Sequence, residues 1–302
     1  MSGKSRRDFL KKSALVGAGI TGLSTSTAIA GPKNILSEDR MGVLVDTTVC
    51  IGCRQCEWAC KYAHDLPAGD IESYKNREVF DKMRRPDHTA LTVVNEYAPG
   101  KNSNLPVNVK VQCMHCDHPA CVSACIVGAF SKHENGAVTW DTDMCIGCRY
   151  CMAACPFQVP AFEYDKALNP KIMKCDFCFE LTKQGKLPAC VSICPVEALT
   201  YGSRTELVKI ARDRIKKNPD RYDDHIFGEY EVGGTSWMYL ANKDFAELDF
   251  PNLGKNPAPG VSEAIQHGIF AYFVPPVSLY ALLGGIMWIS KRRKELNEEE
   301  KQ

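Results

Sequence analysis

"GVLVDTTVCIGCRQCEWAC" runs from Gly42 to Cys60, and a near-copy, "AVTWDTDMCIGCRYCMAAC", runs from Ala137 to Cys155. When the two are aligned, Asp46 falls on Asp141 and every cysteine falls on its counterpart, so one unit is used twice. A second pair repeats as well: "PACVSACIVGAF" from Pro119 to Phe130 resembles "PACVSICPVEAL" from Pro188 to Leu199. The Val43 to Val45 run predicts a short strand leading into a cysteine cluster. The chain therefore reads as a duplicated two-part module before any chemistry is assigned.

All 16 cysteines fall into four groups. The first is Cys50, Cys53, Cys56 and Cys60, and the second Cys113, Cys116, Cys121 and Cys125. The third is Cys145, Cys148, Cys151 and Cys155, and the fourth Cys175, Cys178, Cys190 and Cys194. Groups one and three carry the C-x-x-C-x-x-C-x-x-x-C spacing of bacterial ferredoxins, where a tight loop presents three thiolates to one [4Fe-4S] cubane and the fourth ligates another. Groups two and four keep the outer spacings, with four and eleven residues between the two halves. Loops this crowded cannot pair all their thiols locally as disulfides without strain. Zinc ribbons pair two C-x-x-C knuckles and have no use for a third close cysteine. The pattern favours iron-sulfur chemistry, with a zinc-stabilised docking scaffold as the alternative of another class.

Other residues near the groups carry less. His115 and His118 sit within the second group, where four cysteines already suffice, so they are expected on the surface or beside the ligands. Arg54 and Arg149 lie close enough in sequence to raise a cluster's potential. No C-x-x-C is followed by His, which excludes a covalent c-type haem site. No nucleophile with a base, acid-base pair or phosphate loop stands out, so the chain is expected to conduct electrons without making or breaking substrate bonds. With 37 Lys plus Arg against 36 Asp plus Glu, it has no electrostatic reason to bind nucleic acid.

The ends of the chain read as targeting and anchoring segments. "SRRDFLKK" from Ser5 to Lys12, followed by a mildly apolar stretch to "AIA", predicts a twin-arginine signal over residues 1–30, cleaved after Ala30. That route exports folded proteins, which suits clusters assembled in a reducing cytoplasm. "GAGITG" from Gly17 to Gly22 matches a dinucleotide fingerprint but lies in the leader with no strand before it, and is discarded. Ala264 to Ser290 contains no Lys, Arg, Asp or Glu and predicts a membrane span, kinked at Pro275 and Pro276. The basic run from Lys291 to Lys294 keeps the tail, 291–302, cytoplasmic and the body periplasmic.

Between these ends, Lys61 to Gln112 is a cysteine-free insertion with a loop-like "APGKNSNLP". "LTYG" after the last group predicts a closing strand, and Ser203 with Glu206 a capping box opening a helix through Ile215. "YEVGGTSWMYL" predicts a strand or hairpin within an otherwise irregular 203–263 region.

With four groups in this order, Met41 to about Gly202 resembles the four-cluster iron-sulfur subunits of respiratory oxidoreductases that include dimethyl sulfoxide reductase, formate dehydrogenase N and the hydrogenase-2 type. The leader, "GGTSWMYL" and "SEAIQHGIF" look most like the hydrogenase-2 type; formate dehydrogenase subunits resemble it closely but usually carry no leader of their own. The resemblance implies an α+β fold of two interleaved bacterial-ferredoxin-like modules over 41–202, plus one C-terminal transmembrane helix. It implies four [4Fe-4S] clusters: one on Cys50, Cys53, Cys56 and Cys194, and its partner on Cys175, Cys178, Cys190 and Cys60. The other pair would use Cys113, Cys116, Cys121 and Cys155, and Cys145, Cys148, Cys151 and Cys125. Implied partners are a periplasmic catalytic subunit and a quinone-reactive membrane subunit, near which His267 would lie. Pro156 and Pro195 follow the family's pattern after the fourth cysteine, whereas Lys61 and Ile126 depart from it.

Overall fold

The computed structural model describes residues 40–166, 170–260 and 277–292. β1 (Met41–Asp46) grows from the expected apolar run and is buried from Gly42 onward. α1 (Gln55–Ala63) leaves the first cysteine loop, and β2 (Val93–Tyr97) with β3 (Val107–Val111) forms an antiparallel hairpin inside the insertion. α2 (Ala120–Ser123), β4 (Phe130–Lys132), β5 (Val138–Trp140) and α3 (Tyr150–Ala154) carry groups two and three. β6 (Ala161–Phe162), β7 (Ile172–Met173), α4 (Phe179–Lys183) and α5 (Ala189–Ser192) lead through group four. β8 (Leu199–Ser203), α6 (Arg204–Lys217) and β9 (Trp237–Leu240) complete the set.

The two copies of the repeat form the same local structure. Val45 pairs with Leu199 in the antiparallel β1–β8 ladder, and Trp140 pairs with Phe130 in β5–β4; these are matching positions of the repeats. Asp46 N donates to Ala198 O at 2.8 Å, and Asp141 N donates to Ala129 O at 2.8 Å. The strand entering group one is thus paired with the strand leaving group four, and the strand entering group three with the strand leaving group two.

β1 is the central strand of a three-stranded sheet, flanked by β8 and by β9, which runs parallel to it. A strand covered on both faces needs apolar side chains in both directions. Val43 and Val45 enter the main core with Trp237 and Tyr239, and Leu44 points the other way into a second cluster with Leu207, Ala211 and Met238. The stretch 203–263, expected as a helix and irregular linker, thus supplies both the helix over that second face and the third strand of the sheet. β9 is a strand of this sheet, and Tyr239 within it also exchanges backbone hydrogen bonds with Phe227 in an isolated antiparallel bridge.

Ser203 stands at the N-cap of α6, as expected, but the capping box is not made: its hydroxyl forms no cap hydrogen bond and is buried without a partner. The residue is still engaged in the β1–β8 ladder, opposite Met41, which holds its backbone in the strand's geometry. The helix runs to Lys217, and Arg214, Lys216 and Lys217 in its last turn face the negative end of its dipole.

Residues 277–292 form a helix with every residue exposed. Among the described residues no helix is long and apolar enough to cross a membrane. The signal segment 1–30, His267 and the first part of the expected span lie outside the described residues, as does the tail after residue 292.

Candidate metal centre

Each cysteine loop is shaped by one unusual residue. Directly before the second cysteine of every group stands a residue in the left-handed region: Gly52 (φ 67), His115 (φ 50), Gly147 (φ 68) and Phe177 (φ 68). Glycine adopts that conformation freely, whereas His115 and Phe177 each cost about 1–2 kcal/mol. Packing holds them there: both are fully buried, with ring centroids 4.9 Å apart. Arg54 and Arg149, directly after the second cysteine in the matching loops, repeat each other at φ 60 and φ 62.

All 16 cysteines are free thiols, and Cys148 is the most solvent-exposed class among them. Burial, with Cys194 and Cys53 adding to it, pushes Cys50 up to about 11 against the opposing pull of the Gly52 N–H and Lys110. Burial also raises Cys178 and Cys190, and Cys60 adds to both. In the second pair of groups, burial raises Cys116, with Cys113, Cys155 and Cys121 pressing on it. Burial raises Cys151 to about 11, with Cys145, Cys148 and Cys125 contributing. Thiols so placed resist ionisation unless a cation compensates, and a bound metal ion does that.

Structure brings the groups together across the chain. His64, at the end of α1, donates from Nε2 to Asp176 Oδ1 at 2.8 Å and from Nδ1 to Cys60 O at 2.7 Å. Asp176 Oδ1 also accepts from Cys178 N at 2.8 Å, so one carboxylate ties group one to group four. Burial works against a charged His64 ring, but Asp176 and Cys60 outweigh it and raise the ring to about 11. Asn108 on β3 donates to Cys50 O at 3.2 Å, bringing the insertion onto the first loop.

The polar groups around the thiols fit sulfur-rich clusters. His115 Nδ1 accepts from Val138 N at 2.8 Å, which leaves the ring proton on Nε2, a buried atom with no partner among the protein groups. Trp237 Nε1 is likewise buried without an acceptor. Two orphaned N–H groups beside thiols are donors for sulfide and thiolate.

The sequence missed two buried lysines, Lys110 and Lys174, and a half-buried one, Lys132. Lys174 Nζ donates to Cys175 O at 2.9 Å and to Val138 O, and Lys132 Nζ to Gly136 O at 2.8 Å. Burial lowers Lys132 to about 8, against the opposing pull of Asp117 and Cys116. The signal available was position alone, and it held for only two of them: Lys110 lies three residues before Cys113 and Lys174 directly before Cys175, whereas Lys132 lies seven residues beyond Cys125. The two arginines singled out instead divide. Arg54 is buried but spends its guanidinium on Glu57 and on the carbonyls of Tyr74 and Asn76. Arg149 is exposed and lies over Phe162 and Tyr164. His118 is half-buried, near Gly233.

Four cysteine loops that each turn on a left-handed residue before the second cysteine, buried thiols that favour a cation and donors without acceptors define a ferredoxin-like carrier of [4Fe-4S] clusters. Comparison with known proteins agrees: residues 107–204 match the 4Fe-4S dicluster domain family. The chain is 46% identical over 306 residues to a protein of Nitratidesulfovibrio vulgaris, covering 98% of this chain and 79% of the other. It is 32% identical over 322 residues to the hydrogenase-2 operon protein HybA of Escherichia coli O157:H7, covering 95% of each. It is 31% identical over 253 residues to the nitrate-inducible formate dehydrogenase iron-sulfur subunit of Escherichia coli K12, covering 81% of this chain and 83% of that one. The chain belongs to the family of iron-sulfur subunits that includes HybA and these formate dehydrogenase subunits. It is an electron-transfer subunit of an oxidoreductase complex, with several [4Fe-4S] clusters and no catalytic chemistry of its own.

Proposed function

We propose that this chain is a membrane-anchored relay that carries electrons through four [4Fe-4S] clusters, from a periplasmic nickel-iron hydrogenase subunit to a quinone-reactive membrane subunit. One cluster is held by Cys50, Cys53, Cys56 and Cys194, and its partner by Cys175, Cys178, Cys190 and Cys60. The second pair is held by Cys113, Cys116, Cys121 and Cys155, and by Cys145, Cys148, Cys151 and Cys125. The observation that carries this reading is one small cavity lined by Cys50, Cys53, Cys56 and Cys194, a thiol of group four standing with three of group one; thiols of paired groups also press on one another elsewhere, Cys60 on Cys178, Cys155 on Cys116 and Cys125 on Cys151. The interleaved modules are supported by the strand pairing, which joins the flanks of groups one and four, and of groups two and three.

Export through the twin-arginine route and a span over 264–290 complete the reading. They are supported by the leader's sequence, and by the exposed helix over 277–292, apolar until it enters the basic run at Lys291. Moving Arg6 and Arg7 to Lys should leave the protein in the cytoplasm, and carbonate extraction should fail to release it from membranes.

The hydrogenase assignment is favoured by the match to HybA along 95% of both chains. A formate dehydrogenase role is the second reading, favoured by identities of 31% and 32% to two such subunits of Escherichia coli. Purifying the native complex in mild detergent and measuring metals separates them. About sixteen irons per copy of this chain supports four cubanes. Nickel in the complex supports the hydrogenase, and molybdenum or tungsten the second reading. Colourless protein with zinc overturns both.

A further inference from the structure

The cysteine-free insertion has no part in that relay, yet its last strand runs beside the cysteines of groups one and four. Side chains alternate along β3. Val107 and Val109 enter the main core, and Asn108, Lys110 and Gln112 form a row on the opposite face, all three buried. Buried polar side chains need partners, and this row finds them in the site. Asn108 reaches the first cysteine loop through Cys50 O. Lys110 Nζ donates to Gln112 Oε1 at 2.9 Å and lies 4.5 Å from the centre of the Trp237 ring. Gln112 Nε2 donates to the Tyr239 hydroxyl at 2.6 Å, which in turn donates to Lys110 O at 2.8 Å. This closed circuit fixes where the ammonium stands.

That place is shared. Lys110 lines a small cavity together with Cys50, Cys53, Cys56 and Cys194. Cys190, a member of a different ligand set, is buried in the same cluster as the Trp237 ring over which the ammonium stands, and the positive charge acts on Cys190 and Cys175. A lysine with 2% of its surface exposed keeps its charge poorly screened by solvent.

We propose that Lys110 is a potential-setting residue: a buried ammonium, delivered by the insertion, that serves two adjacent clusters at once and raises the reduction potentials of both. The inference rests on the ligand sets proposed above. Each reduction adds one electron from the preceding carrier, breaks no bond and leaves the proton on Nζ. The added negative charge is stabilised by the fixed positive one, so the reduced form gains. The insertion then has an electrical task in the relay as well as a structural one.

The test is an EPR-monitored redox titration of the native complex with wild-type chain, Lys110→Met and Lys110→Arg, with iron and sulfide counted in each. Expected are equal iron counts and a fall of about tenfold in the reduction equilibrium of two of the four clusters in Lys110→Met, about 59 mV for one electron. The other two potentials should stay in place, and Lys110→Arg should stay near wild type. Unmoved potentials at equal iron overturn the inference alone, as does an equal shift in all four clusters or the same shift in Lys110→Arg. A wild-type count far below four cubanes overturns the ligand sets, and the inference with them. Should Lys110→Met lose iron, Lys110→Gln, which keeps a donor for Gln112, is titrated under the same criteria.

Discussion

Glu57 illustrates how single residues hold the cluster loops in place. Its carboxylate is 1% exposed, accepts from Val94 N at 2.6 Å, and pairs with Arg84 at 2.6 Å and Arg54 at 3.3 Å. It therefore pins α1, which carries Cys56 and Cys60, to the hairpin that carries Lys110. Removing one member of a buried ionic cluster leaves the others uncompensated. Glu57→Ala should cost about 3–5 kcal/mol in chemical denaturation of the loaded protein, more than an exposed pair such as Lys75–Glu72. The four cysteine groups stood out in the sequence, because ligation demands both the residue type and its spacing. His115 was not, since nothing in "CMHC" says that the ring turns inward and takes up a left-handed backbone. Lys110 was concealed for a related reason: "VNVKVQ" alternates like a strand with one wet face, and here the polar face is covered by the metal centre.

At the scale of elements, the strands beside the cysteines followed from the repeats and β9 from the strand expected in "YEVGGTSWMYL", but its place in the sheet was not legible. Val43 to Val45 and "LTYG" stand next to conspicuous motifs, whereas the parallel pairing of Val43 with Trp237 joins segments with no local signal linking them. Trp237 is 1% exposed and packs against Phe177 with ring centroids 6.2 Å apart, so β9 supports the fourth cysteine loop directly. Trp237→Ala should cost about 3–5 kcal/mol and lower the melting temperature. The β6–β7 hairpin offers a pH test. Burial alone would raise the Glu163 carboxyl, but hydrogen bonds from Lys166 Nζ at 2.7 Å and Lys171 N at 2.9 Å lower it overall. A folded value below the unfolded one means the stabilisation is present above the ordinary carboxylate range and fades as pH falls through the folded value. Acid melts should therefore show wild type losing more stability than Glu163→Gln over that range.

For the molecule as a whole, the extended structure among the described residues is sparse. β6 and β7 have two residues each, and β4 and β5 three. Ladders this short hold little on their own, so the bound clusters take over work that a larger sheet does elsewhere. Stripping iron by oxidation and chelation should abolish the cooperative thermal transition, followed by near-ultraviolet circular dichroism. On the ligand sets proposed above, Cys194→Ala should remove one cluster of the four, taking iron from about sixteen to about twelve per chain and leaving three EPR signals.

The pairing of β1 with β8 and β9, set against that of β4 with β5, also dictates an order of birth. The inner hairpin closes within residues 130–140, while β1 waits for strands at 199–203 and 237–240. As the chain leaves the ribosome, its centre can close like the inner of two brackets while the first cysteines emerge long before their partners. The outer bracket shuts only once nearly the whole body has been made. A translating chain therefore carries its earliest thiols open for most of its synthesis, the interval in which a cell has most reason to shield them.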